Sequence, residues 1–208
     1  GDHRDLHRVD RRQRQMCIRD RYGESIYFRS GDTLYVNLFI ASELQWKEQD
    51  VVVRQETRFP ESDTARLIFK CRQPRELTVR IRWPHWATAG FSLAVNGQKM
   101  SFEGRPSSFV QLRRRWIDGD QLLVHMPMSI RTEGFRDNPR KRAVLFGPVV
   151  LCTPVEPGRA MPVIVCPIDA IAQAIRPTDK PLEFQGQPGT FRCLESEKGV
   201  EVAFVPFY

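Results

Sequence analysis

LTVRIRW, residues 77–83, decides the fold. Leu77, Val79, Ile81 and Trp83 fall on one face at a period of two, with Thr78, Arg80 and Arg82 on the other, the alternation of a strand that buries one face and wets the other. Pro84 follows and, having no N–H to donate, stops the ladder. Working outward, TLYVNLFI at 33–40 repeats the pattern, with Leu34, Val36, Leu38 and Ile40 on the core side and Tyr35, Asn37 and Phe39 opposite. Val51, Val53, Gln55 and Thr57 mark a third strand, and Ala65, Leu67 and Phe69 a fourth. Phe91 to Val95 runs into Asn96-Gly97, a pair suited to the positive φ angles of a type I′ turn. Val110 and Leu112 precede Trp116, and Asp118-Gly119 supplies another tight turn before the strand Gln121 to Met126. AVLFGPVVLC at 143–152 is apolar on both sides of Gly147-Pro148, as for a buried strand with a bend.

Strands this short, divided by turns every 8 to 15 residues, predict an all-β fold, an antiparallel, jelly-roll-like β-sandwich, with the start of a second small β segment. Fifteen Pro, thirteen Gly and thirteen Phe in 208 residues agree with many turns and few helices. Pro167 to Ile175 is compatible with two or three helical turns, Arg176 to Gly189 reads as loop, and strands return at Phe191 to Leu194 and Val200 to Val205. The expected organisation is a disordered or artefactual segment at 1–21, a sandwich at 22–153 and a loop-rich extension at 154–208. Residues 1–21 lack apolar periodicity, and MCIRDR within them resembles a translated sequencing-adaptor remnant. The chain is expected to be cut at both ends, since strand-like VPFY closes it.

The formal charge of +7 raises a nucleic-acid reading, but seven Arg and four Asp lie in residues 1–22, leaving +4 for the rest. With neither a recognition-helix nor a zinc-finger spacing, no nucleic-acid partner is expected. No run of eighteen apolar residues predicts a membrane span, and no apolar h-region opens the chain, which leaves the compartment undetermined. Cys17, Cys71, Cys152, Cys166 and Cys193 are scattered and odd in number, so they read as buried small hydrophobes, with the fourteen-residue interval between Cys152 and Cys166 compatible with a bridge. His3, His7, His85 and His125 form no zinc pattern, and HExxH, GxSxG and phosphate-binding glycine motifs are missing. No catalytic or metal-ligating residue and no cofactor is therefore expected here. Trp46, Trp83, Trp86 and Trp116 read first as packing residues and second as flat surfaces for sugars. The candidates for glycan or interdomain contact are Trp46, Pro84, His85, Trp86, Asp137, Asn138 and Arg140, with the Pro84-His85-Trp86 turn expected to carry its rings outward.

Separated blocks in order carry a resemblance: YGESIYF at 22–28, GDTLYVNLFIASELQWKEQDVVVRQETRFPESDTARLIF at 31–69, IRWPHWA at 81–87, VNG at 95–97, RRWIDGDQLLVHMPMSIRTE at 114–133 and DNPRKRAVLFGPVVL at 137–151. They resemble the β region after the catalytic barrel in the bacterial-type glycoside hydrolases of family 127, the β-L-arabinofuranosidase-like family. The resemblance implies a missing (α/α)₆ barrel as partner, with a cysteine nucleophile in a zinc-bound cluster. The family's cysteine motif is replaced here by MCIRDR, so Cys17 is not matched to that nucleophile. The implied role is a non-catalytic accessory β-sandwich, inactive alone, packing on the barrel and shaping its glycan cleft. The alternative is an independent carbohydrate-binding module.

Overall fold

The computed structural model describes residues 22–155, 161–193 and 202–207, and within them the chain is almost wholly β. The expectations for residues 1–21 and for Cys17 lie outside the described residues, as does the bridging state of Cys193. Contacts divide the chain into two compact units, one of residues up to 85 with 91–125, the other of 86–90 with 126 onward.

In chain order the first unit holds β1 (Tyr27–Ser30), β2 (Thr33–Val36), β3 (Ser42–Trp46), β4 (Val51–Thr57), β5 (Thr64–Cys71), β6 (Arg75–Trp83), β7 (Ser92–Val95), β8 (Gln98–Lys99), β9 (Ser108–Trp116) and β10 (Gln121–His125). They form a four-stranded sheet, β1-β2-β6-β9, and a six-stranded sheet, β3-β4-β5-β10-β7-β8. β2 runs parallel to β6, while the other strand pairs of this unit are antiparallel. The alternation of LTVRIRW is what faces the sheets together. Leu77, Val79 and Ile81 are buried, and so are Leu67 and Phe69 of β5 and Leu122 and Val124 of β10. Trp116 of β9 stacks on Phe69 across the two sheets, 4.0 Å between centroids and 24° between planes, and donates Nε1–H to the Leu77 carbonyl at 3.2 Å. This is an all-β sandwich.

One local departure from the sequence reading has a physical cause, and one expected turn has an unexpected place in the topology. The strand expected over 33–40 ends at Val36. Beyond it, Gln55 Nε2 donates to the carbonyls of Leu38 and Ile40 at 3.0 and 2.6 Å, so a side chain takes acceptors that a neighbouring strand would use. Asp118-Gly119 makes the tight turn expected of it, and the strands it joins are not partners, because β9 pairs with β6 while β10 pairs with β5 and β7. The link carries the chain between sheets, and buried Asp120 (2% exposed) holds it. Its carboxylate accepts from Asn96 Nδ2 at 2.7 Å and from the Ile117 N–H at 3.0 Å, and lies 3.4 Å from Arg114. Asn96-Gly97 does turn β7 into β8, with φ of 50° and 82°.

The second unit holds β11 (Ile130–Gly134), β12 (Arg142–Phe146), β13 (Val149–Cys152), β14 (Pro162–Ile164), β15 (Ile175–Pro177), β16 (Phe184–Gly186), β17 (Phe191–Cys193) and β18 (Ala203–Pro206). Six form one sheet, β11-β12-β13-β18-β16-β15, and β14 pairs with β17. Because β13 pairs with β18, the position 153/154 expected as a boundary lies inside this unit. Val144, Leu151, Ile175, Phe184, Phe191 and Phe204 build its core. The reading of 176–189 as loop missed the hairpin of β15 and β16, whose Ile175 and Phe184 are buried although Pro177 and Pro181 break any alternation. At 167–175 the chain makes a 3-10 turn, Ile168–Ala170, followed by further turns, and no side chain caps it. Gly147 has φ of 53°, and a Cβ there would run into the Met128 side chain, so the bend between β12 and β13 requires glycine.

Candidate functional site

On the outer face of the four-stranded sheet, alternation turns out Phe28, Tyr35, Arg80, Arg82, Phe109 and Gln111. Register sets Phe28 opposite Tyr35, Tyr35 beside Arg80, Arg80 opposite Gln111 and Arg82 opposite Phe109. Arg80 is held by neutral groups. Its Nη1 donates to the Tyr35 hydroxyl at 2.9 Å, its Nε and Nη2 donate to Gln111 Oε1 at 3.1 and 2.9 Å, and its guanidinium carbon lies 5.2 Å from the Tyr35 ring centroid. Arg82 donates to Asn37 Oδ1 at 3.1 Å, and Asn37 in turn donates to the Ser25 carbonyl. Phe109 meets Tyr35 edge to face, at 5.5 Å and 84°. Phe109 is 39% exposed and Phe28 50%, high for rings on a sheet. Arg113 and Arg115 extend the same face, where Glu76 comes within 4.0 Å of Arg113.

The outer face of the six-stranded sheet has another chemistry. A cleft of about 640 Å³ runs over it, with Arg54, Glu56, Arg66, Ser42, Thr64 and Leu123 in its lining. Register sets Glu43 opposite Arg54 and Glu56 opposite Arg66, and Arg54 bridges Glu56 at 2.9 Å. His125 Nε2 lies 3.0 Å from Asp63 at the far end. Cations and carboxylates alternate, so this face neutralises itself.

Of the residues expected at a contact, Trp46 is 2% exposed at the end of β3, and with Cys71, Lys70, Arg72 and Asp118 it borders a cleft of about 440 Å³. Pro84 is buried and His85 exposed. Trp86, expected to turn outward, is 7% exposed. Trp83 stacks on Phe91 at 4.7 Å and Trp116 on Phe69, so two of the four tryptophans join ring clusters within the first unit. Asp137 and Arg140 are exposed, and Asn138 is half-buried. Asn138 Oδ1 accepts from the Arg140 N–H at 3.1 Å, which joins these three on one turn between β11 and β12. Phe28 and Phe109 escaped notice because a ring in a strand signals burial as readily as contact, although Arg80 and Arg82 already stood on the outward positions of LTVRIRW.

Cys71, Cys152 and Cys166 are free thiols. Burial pushes the Cys71 thiol up, Asp118 and Asp120 push it further, and Arg75 opposes them. That is the reverse of what activates a thiolate. Among the described residues no three His, Cys, Asp or Glu gather as a metal site, so the zinc-bound cysteine cluster implied for the family's barrel has no counterpart there. Among them, too, no helix is long and apolar enough to cross a membrane.

Residues 33–128 match the family described as beta-L-arabinofuranosidase, GH127 middle domain. No curated protein sequence matches the chain. Among solved structures, one titled glycoside hydrolase aligns with a TM-score of 0.69 at 22% identity, over 87% of this chain and 34% of its own. A GH127 β-L-arabinofuranosidase from Geobacillus stearothermophilus T6 aligns with 0.66 at 22% identity, over 90% and 33%. A GH127 β-arabinofuranosidase aligns with 0.65 at 21% identity, over 88% and 33%. These likenesses show the fold, and the chain spans about a third of the length of the solved proteins. The first unit thus carries, at residues 33–128, a match to the middle domain of glycoside hydrolase family 127.

Proposed function

We propose that this chain acts as a non-catalytic accessory portion of a family 127 glycoside hydrolase, packing on a catalytic domain that supplies the chemistry. The observation that carries the reading is the match to the family's middle domain, in a chain that spans a third of its solved relatives. Glycoside hydrolysis needs a proton donor and a nucleophile or activated water on opposite sides of the anomeric carbon. The outer-face carboxylates of the six-stranded sheet are engaged or faced by arginines, and Cys71 is held towards its neutral form. Zinc, in this reading, belongs to the catalytic domain. The exposed groups His85, Asp137 and Arg140, with half-buried Asn138 on the same turn as the last two, are the members of the contact set free to reach a neighbouring domain or a glycan.

The test is turnover of aryl β-L-arabinofuranosides by the purified chain, with and without added zinc. Background rates are expected in both. Turnover abolished by replacing Cys71, Cys152 or Cys166 would overturn the reading.

A further inference from the structure

Four arginines lie in a line on the outer face of the four-stranded sheet. Arg82 and Arg80 are successive outward positions of β6, and on the adjacent β9 Arg113 sits opposite Thr78 and Arg115 opposite Glu76. The four backbone positions therefore step along the β6–β9 pair from the level of residue 82 to that of residue 76, roughly 6.6 Å per step along the strand over about 20 Å. The exposed Glu76 lies opposite Arg115 and 4.0 Å from Arg113, so that end of the row is partly offset, while Arg80 and Arg82 stand opposite Gln111 and Phe109. Such a row of like charges is a cost to the fold unless something anionic lies along it.

We propose that this track binds an extended uronic-acid polymer, a glycan with a carboxylate on each repeat. Three features favour it. The arginines are spaced for a linear polyanion, and Arg80 is already oriented by Tyr35 and Gln111, so its free N–H groups are set before a ligand arrives. The Tyr35 hydroxyl and the amides of Asn37 and Gln111 hold Arg80 and Arg82, neutral groups suited to sugar hydroxyls. Phe28 and Phe109 leave ring surface exposed for the apolar faces of sugars. Single-stranded nucleic acid fits less well, because Tyr35 and Phe109 meet at 84° and do not offer parallel faces for successive bases. The self-neutralised cleft over the other sheet lacks such a track. The inference rests on the proposed reading of this chain as part of a glycan-acting protein, and it does not require a catalytic domain to be docked.

The experiment titrates the full chain at low salt with polygalacturonate, neutral linear arabinan and polydeoxythymidylate. Polygalacturonate should bind, with affinity falling as salt rises, and arabinan should bind at least about tenfold more weakly. R80A with R82A should weaken polygalacturonate by about tenfold. R113A with R115A should weaken it by a similar factor, and because that pair disturbs just the exposed Glu76 contact it separates ligand loss from damage to the fold. R54A with R66A, on the opposite face, should change affinity by less than about twofold. Equal or tighter binding of the polynucleotide would overturn the proposal, as would indifference to both arginine pairs. Binding to none of the polymers would also overturn it and return the face to a protein partner. Failure to pack on a catalytic domain would leave these titrations unchanged, so the two readings fail separately.

Discussion

The two outer faces of the first unit are built on one core and differ in how they treat charge. Across the six-stranded sheet, each outward arginine of the cleft meets a glutamate, Arg54 with Glu43 and Glu56, and Arg66 with Glu56. Across the four-stranded sheet, Arg80 and Arg82 are anchored by a phenol and two amides, and two rings remain exposed. Pairing carboxylates with cations directly opposite stabilises a sheet by tenths of a kcal/mol and leaves little to offer a ligand. Anchoring cations with neutral groups keeps their charge available. The difference teaches that net charge is a poor guide to a binding face. How each cation is held is the better one.

The comparison assumes a shared, rigid core, and that assumption can be broken first. Trp116→Ala removes the ring that stacks on Phe69 across the sheets, and unfolding in urea should show a loss of about 4 kcal/mol. A loss below about 1 kcal/mol would mean that the sheets are not held through this contact. Asp120→Ala strips acceptors from Asn96 and the Ile117 N–H at the link between sheets, and should cost about 3 kcal/mol. A nearly neutral result there would detach the geometry of one face from that of the other.

Cys71 probes the inner side of the six-stranded sheet. Its neutral form is favoured in the folded chain, so its folded pKa lies above its unfolded value. The contribution to stability is thus fully present below the unfolded thiol pKa and is lost as pH rises past it through the folded value. Denaturation midpoints of the chain and of Cys71→Ala should draw together as the medium becomes more alkaline, and a constant gap would contradict the burial. The smallest effect belongs to the self-neutralised face. Arg54→Ala should cost at most about 0.5 kcal/mol, fading in high salt, and a larger, salt-insensitive loss would show that the face is not the solvated surface described above.

Period-two patterning is a local property, and for that reason LTVRIRW, the Val51 to Thr57 run and the Asn96-Gly97 turn could be read from residues alone. The same patterning placed Arg80 and Arg82 outward. Hairpins without alternation, such as β15 with β16, left no such trace, since Ile175 and Phe184 are buried by neighbours distant in the chain. The family resemblance was legible because it lies in ordered blocks of residues spread along the chain.

Whether an aromatic packs or protrudes was decided by tertiary structure. Trp86, beside a proline and expected outside, is nearly buried, whereas Phe109 in mid-strand is exposed. A ring's burial depends on what the rest of the chain brings over it, and that information is not in its own neighbours. Pairing across the sheet was decided in the same way. The sequence by itself determined that β6 and β9 each turn arginines to one side. The antiparallel register, set by hydrogen bonds between segments some thirty residues apart, put Arg113 and Arg115 in line with Arg80 and Arg82 and made a row of charges from two separate strands.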